Sequence, residues 1–180
     1  TSGTQNAAFG TNTLLSNTTG ELNVAFGHFA LEGQTTPDYN TAVGAQAGIA
    51  VTTGAQNTLI GAKAGLAQTT ANNNVYVGYV AGDATTTGSQ NVAIGVDALA
   101  STTTGSYNIA VGYSTASTSA TVSSQITLGN TSQNTLRCNT QTISSLSDER
   151  DKTDIVDSPY GLDFINTVRP VQFRWESRDE

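Results

Sequence analysis

A five-residue pattern of polar, apolar and glycine positions recurs along the chain. It opens with Asn, continues with apolar or β-branched residues and ends with Gly, as in the segment NVAIG. The copies begin every 17 residues, at Asn6, Asn23, Asn40, Asn57, Asn74, Asn91 and Asn108, and a degenerate copy begins at Gln125. Because an internal period decides the architecture before local propensity does, the pattern predicts a repeat protein.

Each copy has the residue pattern of a short β-strand. With Asn numbered as position 1, position 4 is always large and apolar, and position 2 is often β-branched. Since alternate residues of a strand share a face, positions 2 and 4 are expected to form an inner apolar face. Gly at position 5 is expected to end the strand; in the central copies it is Gly44, Gly61, Gly78, Gly95 and Gly112.

The rest of the repeat indicates a coil of backbone that turns repeatedly. Position 14 is Thr in every copy that reaches it, and position 15 is mostly Gly or Pro, which is typical of a turn. Ala or Leu near positions 8 and 9 adds apolar bulk. A helical repeat needs roughly 33 residues or more per unit. The chain is therefore predicted to be all-β, with a parallel β-solenoid, or β-roll, of 17-residue coils over residues 1–130.

The Asn and Gly columns are the predicted structural residues of this solenoid. The stacked side chains of Asn23, Asn40, Asn57, Asn74, Asn91 and Asn108 are expected to form an amide ladder. Gly at position 5 is expected to turn a corner where a Cβ would collide. One chain supplies little apolar bulk for a core. Three chains around a shared axis would bury their apolar faces, so we expect a homotrimer.

Composition and charge narrow the partners and the sites. Charged residues make up 12% of the chain, and its net charge of −7 disfavours nucleic acid or an anionic membrane as partner. No stretch approaches about 18 consecutive apolar residues, so no membrane span is expected. The chain has one cysteine, Cys138, and one histidine, His28. We therefore expect neither a metal site nor a cofactor.

Charge also divides the chain into two modules. Residues 1–146 hold 7 charged positions, whereas residues 147–180 hold 14. In the charged module, Ser158 and Pro159 have the residue types that begin a helix, and the alternating segment VQFRW is typical of a strand. The sequence predicts a small α+β module there, joined to the repeats by a connector over residues 131–146.

The repeats resemble those of known trimeric fibres. The segments NTAVGAQAG, NTLIGAKAG and NVAIGVDAL are similar to repeats of trimeric autotransporter adhesin heads, which form left-handed parallel β-rolls in a trimer. They are equally similar to repeats in bacteriophage tail fibres. The resemblance covers residues 1–130 and implies that two further copies of the chain are its partners.

The charged module resembles the start of a self-cleaving intramolecular chaperone, found at the C-terminus of endosialidase-type phage tail spikes and fibres. That family opens with Ser-Asp-x-Arg-x-Lys, which Ser147, Asp148, Arg150 and Lys152 match. The resemblance implies one cleavage of the Leu146–Ser147 bond, with Ser147 as nucleophile and Lys152 as base. It implies no metabolic activity. Judged by residue types alone, Ser147 and Asp148 could instead cap a turn.

Together these resemblances imply a segment of a trimeric phage tail fibre, extracellular in the mature virion. Its expected partners are other tail or fibre proteins and a host surface glycan or outer-membrane receptor. Aromatic side chains outside the core positions are candidates either for stacking on sugar rings or for packing between coils; they are Phe29, Tyr39, Tyr79, Tyr107 and Tyr113.

Two alternative functions remain open from the sequence. One is a bacterial trimeric adhesin at the cell surface, built from the same kinds of repeat. The other is an ice-binding solenoid, suggested by the Thr column. Ice-binding faces use Thr-x-Thr, in which both hydroxyls point the same way, and only Thr85 with Thr87 and Thr102 with Thr104 provide that spacing.

Overall fold

A computed structural model describes residues 3–133. This part of the chain forms one parallel sheet of eight strands in chain order, with no helix among the described residues. The strands are β1 Ala7–Phe9, β2 Val24–Phe26, β3 Thr41–Val43, β4 Thr58–Ile60, β5 Val75–Val77, β6 Val92–Ile94, β7 Ile109–Val111 and β8 Ile126–Leu128. The predicted all-β parallel solenoid is confirmed, with about seven turns.

The coils are stacked in the register that the repeat predicts. Ala42 of β3 pairs with Leu59 of β4, which pairs in turn with Tyr76 of β5. Every other strand pair has the same offset, so equivalent positions lie above one another along the axis. Coils are numbered here from coil 1, beginning at Asn6, to coil 8, beginning at Gln125.

The inner face of the strands is position 3, and the prediction that positions 2 and 4 point inward is wrong. The buried residues at position 3 are Ala25, Ala42, Leu59, Tyr76, Ala93 and Ala110. On either side of Ala25, Val24 is 42% exposed and Phe26 is 51% exposed. The reason is the Asn at position 1, whose amide closes the coil from inside. In a strand, position 3 then shares the inner side with position 1.

The predicted apolar bulk at positions 8 and 9 is confirmed as the rest of the core. Its buried members include Leu31, Ala47, Ala64, Ala81 and Leu99.

Positions 3 and 9 of the core are never both large in the same coil. Where position 3 is large, position 9 is Gly: a Cβ on Gly82 would lie 2.5 Å from the ring of Tyr76. In coil 6 the arrangement is reversed, since Ala93 at position 3 accompanies the buried Leu99 at position 9. The narrow interior holds at most one large side chain per coil at these two positions, because protein interiors are close-packed.

Candidate assembly surface

The predicted amide ladder is confirmed, and it ties each coil to itself and to the next. The backbone N–H of Asn57 donates to Oδ1 of Asn40 at 2.9 Å, and the N–H of Asn74 donates to Oδ1 of Asn57 at 3.0 Å. The Nδ2 of Asn57 donates to the carbonyl of Ala71 at 3.0 Å, where the same coil closes. The ladder comprises Asn23, Asn40, Asn57, Asn74, Asn91 and Asn108, all of them buried.

The Gly column is confirmed as the corner of each coil. Its members Gly44, Gly61, Gly78, Gly95 and Gly112 have φ between +130° and +144°. A Cβ on Gly44 would lie 2.5 Å from the carbonyl oxygen of Gly61 in the coil above. Glycine is therefore required both by the backbone conformation and by the close approach of the next coil.

Two buried glutamines, which were not among the residues predicted from the sequence, support the ladder. Nε2 of Gln34 donates to the carbonyl of Pro37 at 3.0 Å, while its Oε1 accepts from Nδ2 of Asn40 at 3.0 Å. Gln68 repeats this arrangement at Ala71. A signal was present in the sequence, since Gln occurs at position 12 only in coils that lack Gly at position 15.

The strands present an exposed apolar face, the outer stripe, on the side opposite the core. It consists of positions 2 and 4 of coils 1 to 8, namely Ala7, Phe9, Val24, Phe26, Thr41, Val43, Thr58, Ile60, Val75, Val77, Val92, Ile94, Ile109, Val111, Ile126 and Leu128. None of these residues is charged, and Phe9 and Leu128 are 68% and 58% exposed. Because monomeric proteins rarely expose large contiguous apolar patches, the stripe has the character of a contact surface.

Side-chain size varies along the outer stripe. In coils 1 and 2, the rings of Phe9 and Phe26 stack with centroids 4.7 Å apart and an interplanar angle of 10°. From coil 3 onward position 4 alternates between valine and isoleucine until Leu128; these residues are Val43, Ile60, Val77, Ile94 and Val111. The stripe thus has an aromatic part and an aliphatic part.

The Thr-x-Thr pairs do not present paired hydroxyls to solvent. Thr85 and Thr102 are buried, whereas Thr87 and Thr104 are exposed. The hydroxyl of Thr85 donates to the carbonyl of Thr102 at 3.1 Å, and the Thr102 hydroxyl lies 2.6 Å from that of Ser117. The spacing on which the ice-binding alternative depended therefore has no matching surface.

The candidate sugar-stacking residues lie in separate columns. Tyr39 and Tyr107 occupy position 17 four coils apart, and Tyr79 and Tyr113 occupy position 6 with Val96 between them. All four tyrosines are more than half exposed. Phe29 is only half-buried and packs against His28, with ring centroids 3.9 Å apart. A glycan-binding role for these residues stays a prediction.

Charge on the solenoid is sparse but includes one perturbed carboxyl. Burial of Asp83 raises its pKa, and the negative charge of Asp97 raises it further, while Lys63 acts in the opposite direction. Burial also raises the pKa of the Tyr76 hydroxyl to about 12. Over residues 3–133, no group of three or more His, Cys, Asp or Glu side chains is placed to hold a metal ion. Nor does that part of the chain contain a helix long and apolar enough to cross a membrane.

The predicted cleavage residues lie outside the described part of the chain. This applies to Ser147, Asp148, Arg150 and Lys152, and to the scissile Leu146–Ser147 bond. It applies equally to the helix and strand predicted for the charged module, and to the connector beyond residue 133. Their roles remain what the resemblance implies.

Comparison with known proteins gives a match at the charged module. Residues 147–180 match the family described as chaperone of endosialidase. The match begins at Ser147, the first residue of the Ser-Asp-x-Arg-x-Lys pattern. No curated protein and no solved structure matches the chain at a significant level. The chaperone resemblance is therefore supported for this segment, whereas the likeness of the repeats to adhesin heads and phage fibres rests on the residues alone.

Proposed function

We propose that the protein is a shaft segment of a trimeric phage tail fibre whose C-terminal module directs trimerisation. The observation that carries this proposal is the outer stripe, which is uncharged along all eight coils and exposed or half-buried in each of them. In a solitary solenoid this surface would face water. In a homotrimer the three stripes would face one another and bury their apolar side chains.

The periodicity of the stripe favours another copy of the chain as its partner. Successive coils are about 4.8 Å apart, so a surface that contacts every coil equally must repeat at the same interval. A second and a third copy in parallel meet this condition along the whole stripe. The match of residues 147–180 to the chaperone of endosialidase family supports a fibre, because the modules that this segment resembles are found at the C-terminus of phage tail spikes and fibres.

The chaperone would answer a folding problem that the repeats create. Over their aliphatic coils, three repetitive chains can associate out of register by 17 residues, one coil, at little energetic cost. A separate module that trimerises first would align them. Cleavage at the Leu146–Ser147 bond would then release the module and leave the assembled shaft kinetically trapped.

The location and further partners follow from this function. The shaft would stand in the virion tail, extracellular in the mature particle, and would contact other tail or fibre proteins. Contact with a host glycan or outer-membrane receptor is part of the same proposal and has the exposed tyrosines as its candidates. The same rod would serve a bacterial surface adhesin, which a membrane anchor in flanking sequence would distinguish; the chaperone match favours the fibre.

The trimer is tested by the molar mass of the full chain in solution, measured by light scattering. We expect three chains, and we expect Ile94→Asp to give single chains that keep their β circular dichroism, because Ile94 points away from the core and is 42% exposed. Gln90→Asp is the matched control, since it adds the same charge at an exposed position outside the stripe. A single-chain mass for the unaltered protein would contradict the proposal.

Self-cleavage is tested on denaturing gels. The unaltered protein should give a released C-terminal fragment, whereas Ser147→Ala should run as one uncleaved band because it lacks the nucleophilic hydroxyl. Ser158→Ala removes a hydroxyl in the same module and should leave cleavage unchanged. Identical band patterns for the unaltered protein and Ser147→Ala would remove self-cleavage from the proposal without affecting the trimer.

A further inference from the structure

We propose that the stacked Phe9 and Phe26 rings set the axial register of the three chains along the outer stripe. This inference rests on the proposed trimer and adds to it a specificity-determining pair within the shaft itself. Both rings are exposed on the stripe, at 68% and 51%, and they stack in adjacent coils with centroids 4.7 Å apart.

In a parallel trimer with all chains in register, each level of the stripe brings together the same residue from three copies. At position 4, coil 1 then brings together three Phe9 side chains, coil 2 three Phe26 side chains and coil 3 three Val43 side chains. A slip by one coil would place a phenyl ring of one chain beside the Val43 of another. That level would contain a void or an overlap the size of most of a ring, and cores tolerate neither well.

The aliphatic part of the stripe discriminates much less between registers. At position 4 a one-coil slip exchanges valine for isoleucine, a difference of one methylene, and a two-coil slip restores the match. Position 2 changes only every second coil, from Thr41 and Thr58 to Val75 and Val92 and then to Ile109 and Ile126. Thr and Val have nearly the same shape, so a slip at this column leaves no void or overlap and changes only the partner of a hydroxyl where Thr58 meets Val75.

The buried columns and the Thr column at position 14 carry no register information between chains. The Asn ladder and the position 3 side chains are buried within each chain. The exposed column at position 14 is Thr in every coil from Thr19 to Thr121. Among the described residues, the aromatic pair is therefore the largest irregularity that one copy presents to the next on the stripe.

Register can be read from disulfides between chains. Two versions of the full chain, both with Cys138→Ser, carry one reporter cysteine each, Thr41→Cys in coil 3 or Thr58→Cys in coil 4, and are co-expressed and oxidised. Mass spectrometry of the cross-linked peptides identifies the joined residues. In-register trimers should give links between like positions, 41 with 41 and 58 with 58, and few links between 41 and 58.

A displaced aromatic pair provides the decisive variant. Phe9→Val combined with Val43→Phe moves the two phenyl rings one coil along the chain, to coils 2 and 3. This chain carries Thr58→Cys, and the unshifted chain carries Thr41→Cys. If the phenyl rings of the two chains pack together, the chains are displaced by one coil, and position 58 of one lies beside position 41 of the other. We expect links between 41 and 58 to become the main product. In a second variant, Phe9→Val with Phe26→Val, links between like and unlike positions should approach equal yield.

The matched control is Ile60→Val with Ile94→Val, which removes apolar atoms from the same column and should keep the links between like positions. Mixed trimers of the shifted and unshifted chains that give only 41 with 41 and 58 with 58 links, and none between 41 and 58, would overturn the register inference and leave the trimer standing. An unaltered trimer that forms no links between like positions would overturn it as well, because the stripes would not face each other. A single-chain mass would instead overturn the proposed function.

Discussion

At the scale of single residues, the amide of each ladder Asn does several tasks at once. Asn57 accepts a hydrogen bond from the next coil through Oδ1 and donates through Nδ2 to the carbonyl that closes its own coil. The repeat period was sufficient to predict this ladder. Residues 17 apart occupy equivalent positions in successive coils, so an Asn that recurs at every seventeenth position stacks on another Asn. The period alone does not predict the contribution of Gln34 and Gln68, since it depends on which coils lack Gly at the closing turn.

Replacement of one ladder amide by a carboxylate separates its donor from its acceptor role. In Asn57→Asp, the acceptor for Asn74 is kept, but the donor to Ala71 is lost and a charge is buried. We expect the free energy of unfolding to fall by about 3 kcal/mol, measured by thermal denaturation followed by circular dichroism. Asn73→Asp is the control, because Asn73 is exposed and its φ of +58° suits Asp equally well. Equal melting curves for the two variants would contradict the ladder's contribution.

The raised pKa of Asp83 gives a pH dependence whose sign is fixed. Because burial and Asp97 raise the pKa of Asp83 in the folded protein above its unfolded value, its ionised form destabilises the fold. The cost is present above the folded pKa and disappears as the pH falls below the unfolded one. Asp83→Asn should therefore raise the melting temperature at neutral pH and have no such effect in acid. A stabilisation that persists unchanged into acid would have another cause.

At the scale of elements, the period predicted eight strands and their register, but the inner face was assigned wrongly. A three-residue strand such as Val24–Phe26 is apolar on both sides, so hydrophobicity alone cannot indicate which side is inside. Size was misleading as well, because the interior of a coil is narrow and takes Ala25, while Phe26 points outward. The Asn amide decides which side of the strand faces the core, because it points inward. The sequence indicates this only if the Asn ladder is assumed to lie inside the coil.

The sizes of the core side chains at positions 3 and 9 are matched within a coil, and this can be tested by moving the large side chain from one position to the other. Tyr76→Ala should cost about 3–5 kcal/mol by leaving a cavity, and Gly82→Leu alone should destabilise because its Cβ would lie 2.5 Å from the Tyr76 ring. Together they reproduce coil 6, where Ala93 accompanies Leu99. Leucine is also compatible with the backbone there, since Gly82 has φ of +60° and Leu99 has +59°.

We therefore expect the double variant to melt close to the unaltered protein and well above either single variant, as measured by circular dichroism. Gly48→Leu is a useful comparison, because a side chain there would meet Leu59 of the neighbouring coil. A second substitution at position 3 of the same coil would not relieve that contact. Additive destabilisation in the Tyr76→Ala/Gly82→Leu protein would show that the two positions do not share one volume.

At the scale of the whole molecule, the solenoid leaves its bulkiest aliphatic and aromatic stripe outside. Three chains were predicted from the sequence because one chain supplies little apolar bulk for a core. The observed strand orientation adds to that reason, because the side chains predicted to fill the core are available for contact instead. The sequence could not predict the shape of this surface, since it depends on which side of each three-residue strand faces out.

An uncharged contact surface makes a prediction about salt. At about 1 M salt, ions largely screen the attraction between exposed charges that are more than a few ångströms apart. Apolar burial is unaffected, or is strengthened by excluded salts such as sulfate. If the outer stripe holds the trimer together, its dissociation constant, measured by sedimentation on dilution, should not rise from low salt to about 1 M salt. Most of the charge lies in residues 147–180. Dissociation in high salt would therefore point to that module, and away from the stripe, as the source of the association energy.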